Sequence, residues 1–227
     1  MYASGSTWLF NATRAVAGIL YPEQRVAGHF AGEARQLRAL PPVINVVKTH
    51  DLRPAAAKFM ARRADAILIS LRDPRDAVTS MLQHMQLDFA LALHRAETSS
   101  LFAAGFTGDA RASLFIYESG FTETPDTFDR LATALGGTLT EAQRAALFAA
   151  TRRSKIEEKI SRLEELPTAW RDPANGDLLD RDTQWHHHHA GRSGETGRWR
   201  RLLPPPEVAL IEQRLADFMQ DFGYLGE

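Results

Sequence analysis

The chain contains no cysteine. It therefore cannot form a disulfide, a cysteine-ligated zinc or iron–sulfur centre, or a thiol nucleophile. An excess of either charge is also lacking, because the chain has 27 basic and 28 acidic residues. This balance argues against a long nucleic acid as a partner. The 15 glycines and 11 prolines among 227 residues are too few for a low-complexity chain.

Long hydrophobic runs are absent as well. The longest stretch without a charged residue covers residues 1–13 and is shorter than the roughly 20 residues that a membrane span needs. No basic segment precedes this stretch, so it does not resemble a signal peptide. With 44% hydrophobic residues, the composition fits a single globular domain over residues 1–227, and we expect it in the cytoplasm without a membrane span.

Strand and helix patterns alternate along the first part of the chain. Short apolar runs, mostly β-branched, predict buried strands over residues 43–47, 66–71 and 112–117. Helical spacing predicts helices over residues 7–20, 55–63, 75–85, 89–103 and 125–135. This order predicts an α/β fold in which a mostly parallel central sheet is flanked by helices.

The second part of the chain is more helical and more charged. Thr140 is a plausible N-cap of one helix, and helices are expected over residues 154–166 and 207–222, the last ended by Gly223. Residues 167–190 show little periodicity and predict a long surface loop. Four consecutive histidines at 186–189 fall in that loop, where adjacent residues suit a tetrahedral metal site poorly, so we assign no metal there.

A run of small hydroxyl residues around a glycine precedes the first predicted helix. In the run Ser4-Gly5-Ser6-Thr7, a glycine turn at a helix N-terminus would point backbone N–H groups and hydroxyls at an anion. An ordinary helix N-cap explains the same residues about equally well. The spacing is not that of a Walker A loop, since the lysine is missing.

Charged residues follow two of the predicted strands. Arg72 comes directly after one strand, with Ser80 eight positions later, and Lys48 and His50 follow another. Residues at the carboxyl ends of parallel strands line the ligand crevice of such sheets, and a shielded histidine there is a candidate general base. The alternatives are an arginine paired with aspartate, a packed serine and a structural histidine.

A glycine- and arginine-rich stretch covers residues 191–201. Arginines separated by glycines suit the wrapping of an anion, because the guanidinium groups supply paired donors and the glycines allow close backbone approach. A solvated basic loop is the alternative.

Taken together, these segments resemble the PAPS-dependent sulfotransferases, which use 3′-phosphoadenosine 5′-phosphosulfate (PAPS). Residues 2–8, Tyr-Ala-Ser-Gly-Ser-Thr-Trp, are similar to the family's loop Pro-Lys-Ser-Gly-Thr-Thr-Trp. The spacing of Arg72 and Ser80 matches its 3′-phosphate signature, and the sequence Arg-Ser-Gly at 192–194 resembles the Arg-Lys-Gly of its last loop. The landmarks run from residue 2 to about 224, whereas residues 18–42 and 167–190 match nothing in the family and are candidate acceptor-binding segments.

The resemblance implies a P-loop-like nucleotide-binding architecture and transfer of a sulfuryl group from PAPS to a hydroxyl or amine, leaving adenosine 3′,5′-bisphosphate (PAP). It implies that His50 takes the acceptor's proton and that Lys48 lies near the transferring group, with no metal required. The implied cofactor-binding residues are Ser4, Gly5, Ser6 and Thr7 at the 5′-phosphosulfate, Trp8 and Ser154 at adenine, Arg72, Ser80, Arg192 and Gly194 at the 3′-phosphate, and beside them Tyr117 and Ser193.

The chain departs from the family pattern in two places. Ala3 stands where the family's loop carries a lysine, so we expect either Lys48 or Arg75 to substitute, or nucleotide binding without turnover. Only Met1 and Tyr2 precede the loop, where the family has a buried strand, so we expect either a chain that is short at its N-terminus or a sheet that has lost most of one strand.

Two other functions stay open on the sequence. One is a P-loop-type kinase that uses ATP, and the other is a non-catalytic protein that binds a nucleotide or a partner. We expect a small-molecule or glycan acceptor and no nucleic acid, and the sequence predicts neither the identity of the acceptor nor an oligomeric state.

Overall fold

The computed structural model describes residues 1–173, 176–190 and 194–225. The strands are β1 (Val26–Phe30), β2 (Ile44–Lys48), β3 (Ile67–Leu71), β4 (Ala112–Ile116), β5 (Ala169–Arg171) and β6 (Leu178–Asp180). The helices are α1 (Ser6–Leu20), α2 (Ala34–Arg38), α3 (Pro54–Arg63), α4 (Pro74–His84), α5 (Phe89–Ala104), α6 (Asp126–Ala134), α7 (Glu141–Thr151), α8 (Arg153–Ser161), α9 (Trp199–Leu202), α10 (Pro205–Arg214) and α11 (Ala216–Asp221). Short 3₁₀ turns lie at Tyr117–Ser119, Leu163–Glu165 and His187–Ala190.

The strands in the described part of the chain form three pairs. β1 pairs with β2 and β3 pairs with β4, both in parallel, whereas β5 and β6 form an antiparallel hairpin. The α/β class and the parallel direction of the main strands are therefore confirmed. Within the described residues β2 and β3 are not joined by a ladder, so the predicted central sheet is divided into two parallel pairs. Residues of both strands line a cavity of about 990 Å³.

Three buried apolar clusters occur among the described residues, and the two larger ones hold these layers together. One packs β3 against α4, α5 and the C-terminal helices, with Leu71, Met81 and Met219 fully buried. The other packs α1 against α6 and α7 through Phe115 and Phe128. Each fully buried side chain of this size contributes about 1.5–3 kcal/mol of transfer free energy, so the clusters fix the elements that carry the site.

Two chain turns and the end of β2 position residues at one end of the strands. α1 begins directly after Gly5, whose φ of 76° places it in the left-handed region that favours glycine. Arg72 follows β3, and the carboxylate of Asp73 then accepts the backbone N–H of Arg75 and caps α4. Because β2 and β3 both end on this side, their carboxyl-terminal residues meet the start of α1.

The strands and helices predicted between residues 7 and 135 agree with the structure to within one residue, and Thr140 caps α7 as expected. The helix predicted over residues 154–166 ends at Ser161 and is followed by a 3₁₀ turn. The prediction of a loop over residues 167–190 is wrong, because this segment contains the β5–β6 hairpin and a 3₁₀ turn. The last predicted helix is broken at Leu215 into α10 and α11. Within the described ranges, no helix is both long enough and apolar enough to cross a lipid bilayer.

Candidate functional site

A cavity of about 1450 Å³ opens at the carboxyl ends of β2, β3 and β4. Its walls are the start of α1, one face of α4, the β5–β6 region and the loop at 194–198. Ten of the site residues predicted from the sequence line this cavity: Gly5, Ser6, Thr7, Trp8, Lys48, His50, Arg72, Ser80, Tyr117 and Gly194. One concave surface therefore collects residues from distant parts of the sequence.

The loop before α1 turns sharply on both sides of Ser4. Ala3 and Gly5 have φ values of 51° and 76°, and a Cβ built on Gly5 would lie 3.0 Å from a ring atom of Phe121. The hydroxyl of Ser4 is buried and contacts the Met1 carbonyl oxygen at 2.8 Å and the Ser70 hydroxyl at 2.7 Å. The Ser4 side chain thus anchors the loop from beneath, and only its backbone remains for a ligand.

The first turn of α1 faces the cavity through its backbone and through the hydroxyls of Ser6 and Thr7. No side chain among the described residues caps this helix, so its N-terminal N–H groups are available to an anion. The positive end of the helix dipole adds to the attraction.

Lys48 lies at the end of β2 and is only 8% exposed. Its Nζ donates a hydrogen bond to the Thr7 hydroxyl at 2.5 Å. Burial lowers the pKa of Lys48 to about 7, and burial together with the Lys48 charge lowers the pKa of the Met1 amino group to about 5. Lys48 is therefore a cation poised to lose or retain its proton near neutral pH.

His50 stands two residues beyond β2. Its ring stacks on Tyr2 with the centroids 4.0 Å apart, and its Nδ1 is buried without a hydrogen-bond partner in the described part of the chain. Burial, then repulsion from Lys48 and the amino terminus, lowers the pKa of His50 well below its ordinary value. The ring is therefore neutral at pH 7 and has a lone pair to accept a proton.

Arg72 connects the first loop to the last one. Its guanidinium donates to the Ala3 carbonyl oxygen at 3.0 Å and to the Glu195 carbonyl oxygen at 3.1 Å, and it lies over the Tyr117 ring at 4.4 Å. The Nε atom is buried and has no partner among residues that the structure describes. An unpaired buried donor is costly, so its presence in a cavity wall points to a ligand that accepts from it.

The last loop approaches the same wall. Gly194 has a φ of 48°, and a Cβ on it would lie 2.7 Å from the Tyr117 hydroxyl, so only glycine fits. Arg198 lines the cavity, contacts the Gln83 side chain, and has a buried Nε without a partner within the described ranges. Arg72 and Arg198 both line the cavity, and among the described residues each keeps one buried guanidinium N–H unpaired.

Asp76 on α4 holds this loop in place. Its carboxylate accepts the backbone N–H of Gly197 at 2.5 Å and of Trp199 at 3.1 Å. We expect Asp76→Asn to lower the free energy of unfolding by about 1–3 kcal/mol, because the amide keeps one acceptor and turns a donor toward the second N–H. Thermal unfolding measures this loss.

The control for Asp76→Asn is Asp217→Asn, which removes a charge from an exposed position on α11. We expect the control to leave the melting temperature and PAP binding unchanged, and Asp76→Asn to weaken PAP binding as well. Equal melting temperatures for the two variants would contradict the role given to Asp76.

Four of the predicted site residues are not among the described residues that line the cavity, and the first is Ser4, which is buried beneath the loop. Ser154 is exposed and does not line it, whereas Thr151 and Arg153, on either side of the α7–α8 junction, do. Arg192 and Ser193 lie outside the described residues. The predicted adenine contact Trp8 lines the cavity, and its indole N–H donates to the Thr151 carbonyl oxygen at 3.1 Å.

Arg75 does not stand in for the missing loop lysine. Its guanidinium is buried and pairs with Asp73 at 2.8 Å and Glu212 at 2.7 Å, donates to the Tyr224 carbonyl oxygen and lies over the Trp199 ring. It is not among the lining residues. Arg75 joins α4 to the C-terminal helices, and Lys48 is left as the lysine beside the first loop.

Sequence reasoning missed three features of the wall. Glu118 lines the cavity with a pKa raised by burial, and it accepts the Asp73 N–H at 3.0 Å. Arg153 lines the cavity in place of the predicted Ser154, its neighbour on α8. Which of two adjacent helix residues faces a cavity depends on the rotation of the helix about its axis. The imidazole rings at 186, 188 and 189 also line the cavity, although an exposed loop was predicted there, and burial lowers the pKa of His188 to about 4.

The sequence matches no protein-family model and no curated protein. The fold is similar to that of mouse sulfotransferase SULT7A1 complexed with PAP, with a TM-score of 0.63, 14% identity, and coverage of 96% of this chain and 81% of that one. It is also similar to retinol dehydratase in complexes with androsterone and inactive cofactor PAP and with retinol and PAP, with TM-scores of 0.55 and 0.56 and 23% identity.

The chain spans 56% of the length of the retinol dehydratase structures, and 82% of this chain is covered. At these identities the likeness establishes the fold. The chain has the α/β fold of the PAP-bound sulfotransferases.

Proposed function

We propose that this protein transfers a sulfuryl group from PAPS to a hydroxyl or amine of a small molecule or glycan. The observation that carries the proposal is the convergence of the uncapped α1 N-terminus, Lys48 and Arg72 on one cavity. The same fold occurs in structures complexed with PAP, which supports a nucleotide with two phosphates as the ligand.

The donor set fits such a nucleotide at two separate places. Backbone N–H groups at the start of α1, the hydroxyls of Ser6 and Thr7, and the Lys48 ammonium suit the 5′-phosphosulfate. The unpaired Nε atoms of Arg72 and Arg198, with Ser80 and Gly194 beside them on the cavity wall, suit the 3′-phosphate. Trp8 offers a ring to adenine.

The residues near β2 suit the transfer step. When bound, PAPS supplies the sulfuryl group that the acceptor's oxygen or nitrogen attacks. His50, neutral at pH 7, would accept the proton of that attacking group at an imidazole nitrogen. Lys48 would stabilise negative charge that develops on the departing phosphate oxygen, because a buried cation acts strongly where water is excluded.

A second candidate is a protein that binds the nucleotide without transfer. Ala3 favours it, because this residue offers only a methyl group at the loop position where the resemblance implies a lysine. Lys48 approaches the loop from β2 instead and contacts Thr7 at 2.5 Å, which favours turnover. The two candidates share the ligand and differ in chemistry.

PAP binding should be coupled to proton uptake by Lys48. At pH 8 most of the free protein has lost this proton, because the pKa of Lys48 is about 7, and a bound anion raises that pKa again. We expect roughly one proton to be taken up per PAP at pH 8, and much less at pH 6, where Lys48 is already charged. Calorimetry in buffers of different ionisation enthalpy measures the uptake.

The variant Lys48→Met tests whether Lys48 is the group that takes up the proton when PAP binds. The variant is expected to bind PAP more weakly and to take up little or no proton at pH 8. Uptake of the same size in Lys48→Met and in the native chain would assign it to another group.

The experiment that tests the proposed function is transfer of label from PAPS to a panel of alcohols, phenols, amines, sugars and peptide tyrosines. We expect a labelled product from at least one acceptor class, with PAP formed in equal amount. Tight PAP binding without transfer to any member of the panel would favour the non-catalytic candidate.

A further inference from the structure

A second cluster of ligand-type side chains lies in the β5–β6 region of the cavity. The Oδ2 atom of Asp177 lies 2.6 Å from Nδ1 of His186 and 3.0 Å from Nδ1 of His188. One ligand atom from each of the three residues falls within 4.8 Å of the others. Neither the predicted sulfuryl transfer nor the nucleotide site uses these groups.

The cluster is held by ordered structure. His186 forms a β-bridge with Leu179 of β6, and its backbone N–H donates to Nδ1 of His189 at 3.1 Å. The rings of His186 and His188 are 4.8 Å apart, and the Asp177 carbonyl oxygen accepts the Asp172 N–H at 2.8 Å. This order distinguishes the cluster from a flexible run of histidines.

The donor set suits a divalent cation of the zinc type. Two imidazole nitrogens and one carboxylate oxygen form a frequent three-residue set, with bonds of about 2.0–2.2 Å that place neighbouring ligand atoms roughly 3.3 Å apart in a tetrahedron. The observed separations of 2.6 and 3.0 Å are shorter by about 0.7 and 0.3 Å, as expected where hydrogen bonds occupy the place of the metal. Shifting the imidazole protons to Nε2 frees both Nδ1 atoms for a cation.

The cluster is oriented toward the cavity. His186 and His188 line it, whereas Asp177 does not, so the carboxylate lies behind the two rings. We propose that Asp177, His186 and His188 bind Zn²⁺ or a similar divalent metal ion, leaving one coordination position on the cavity side for an oxygen or nitrogen of a bound molecule. This proposal can be tested independently of the proposed sulfuryl transfer, because the test measures binding of the metal ion alone.

The rival explanation is adventitious binding by four consecutive histidines. It predicts that any histidine of the run contributes equally and that Asp177 contributes nothing. His187 separates the two explanations, because it belongs to the run but is exposed and stands outside the cluster.

The test titrates the full chain with Zn²⁺ and with Co²⁺, measuring affinity by competition with a chelating indicator and geometry from the visible Co²⁺ spectrum. We expect Asp177→Asn and His188→Ala to weaken Zn²⁺ binding at least about tenfold and to change the Co²⁺ spectrum. The matched control His187→Ala is expected to stay within twofold of the native chain. Equal weakening by His187→Ala, or native affinity in Asp177→Asn, would overturn the proposal.

A second measurement needs no variant. If the folded cluster binds the ion, Zn²⁺ raises the melting temperature of the native chain, and the chain unfolded in urea binds it at least tenfold more weakly. Unchanged melting temperature with equal affinity in urea would assign the binding to the histidine run and overturn the site.

Discussion

Replacing His50 by alanine is expected to lower the rate of sulfuryl transfer by about 10²–10⁴-fold, the range that a general base contributes. PAP affinity is expected to stay within about twofold of native, because His50 belongs to the acceptor side of the proposed mechanism. The expectation depends on an imidazole that is neutral at pH 7 and has a buried Nδ1 without a partner among the described residues.

The measurement is single-turnover transfer from labelled PAPS, with PAP affinity determined separately. His94→Ala is the matched control, since it removes an exposed imidazole from α5 that does not line the cavity. His50 also stacks on Tyr2, so melting temperatures are needed to separate loss of chemistry from loss of packing. A folded His50→Ala protein with native transfer rates would refute the assignment.

The second large effect is expected for Lys48→Met, which should lower the transfer rate by about 10²–10³-fold, the cost of removing one preorganised charge-stabilising group. The methionine keeps the length of the side chain and removes its charge. Ala3 carries no ammonium group and Arg75 on α4 is tied to Asp73 and Glu212, so neither residue supplies a cation in place of Lys48.

The melting temperature of Lys48→Met is expected to rise, whereas its transfer rate is expected to fall. The pKa of Lys48 is about 7 in the folded protein and ordinarily 10.5, so the unfolded chain binds more protons between these values and folding becomes more favourable as pH rises through that window. Below pH 7 the buried charge is present and destabilising. Lys48→Met should therefore raise the melting temperature at pH 6, and the gain should shrink toward pH 10.

Transfer rates and melting temperatures of the native chain and of Lys48→Met at pH 6, 8 and 10 check both predictions. Lys58→Met is the matched control, since it removes an exposed charge from α3 and is expected to change neither quantity. A Lys48→Met protein that is less stable at pH 6 and still active would contradict the role given to this lysine.

The sequence alone predicts that the first loop, Lys48, His50 and Arg72 lie at one end of the fold. Each follows or precedes a strongly patterned element, and the carboxyl ends of parallel strands lie at one edge. Their roles as ligands of PAPS stay predictions. Fold class followed from the alternation of apolar strands with helical segments, which local pattern encodes well.

Other elements depend on tertiary contacts that local pattern does not encode. β1 was missed because Gly28 interrupts its apolar pattern, and that glycine is required where Phe10 and Arg14 pack within 2.7 Å of a built Cβ. The β5–β6 hairpin has three residues per strand, too few to show alternation. The same hairpin brings Asp177 beside His186, nine positions apart in sequence, so the metal-type cluster emerges only from the fold.

One measurement tests the central claim most directly, because it needs no knowledge of the acceptor. Calorimetry compares binding of PAP, AMP and ATP with Mg²⁺ to the full chain. The proposed site predicts that PAP binds at least about 100-fold more tightly than AMP or ATP, since only PAP presents a 3′-phosphate to the unpaired donors of Arg72 and Arg198. Equal affinity for AMP, or tighter binding of ATP, would contradict a PAPS site and favour a kinase-type nucleotide site.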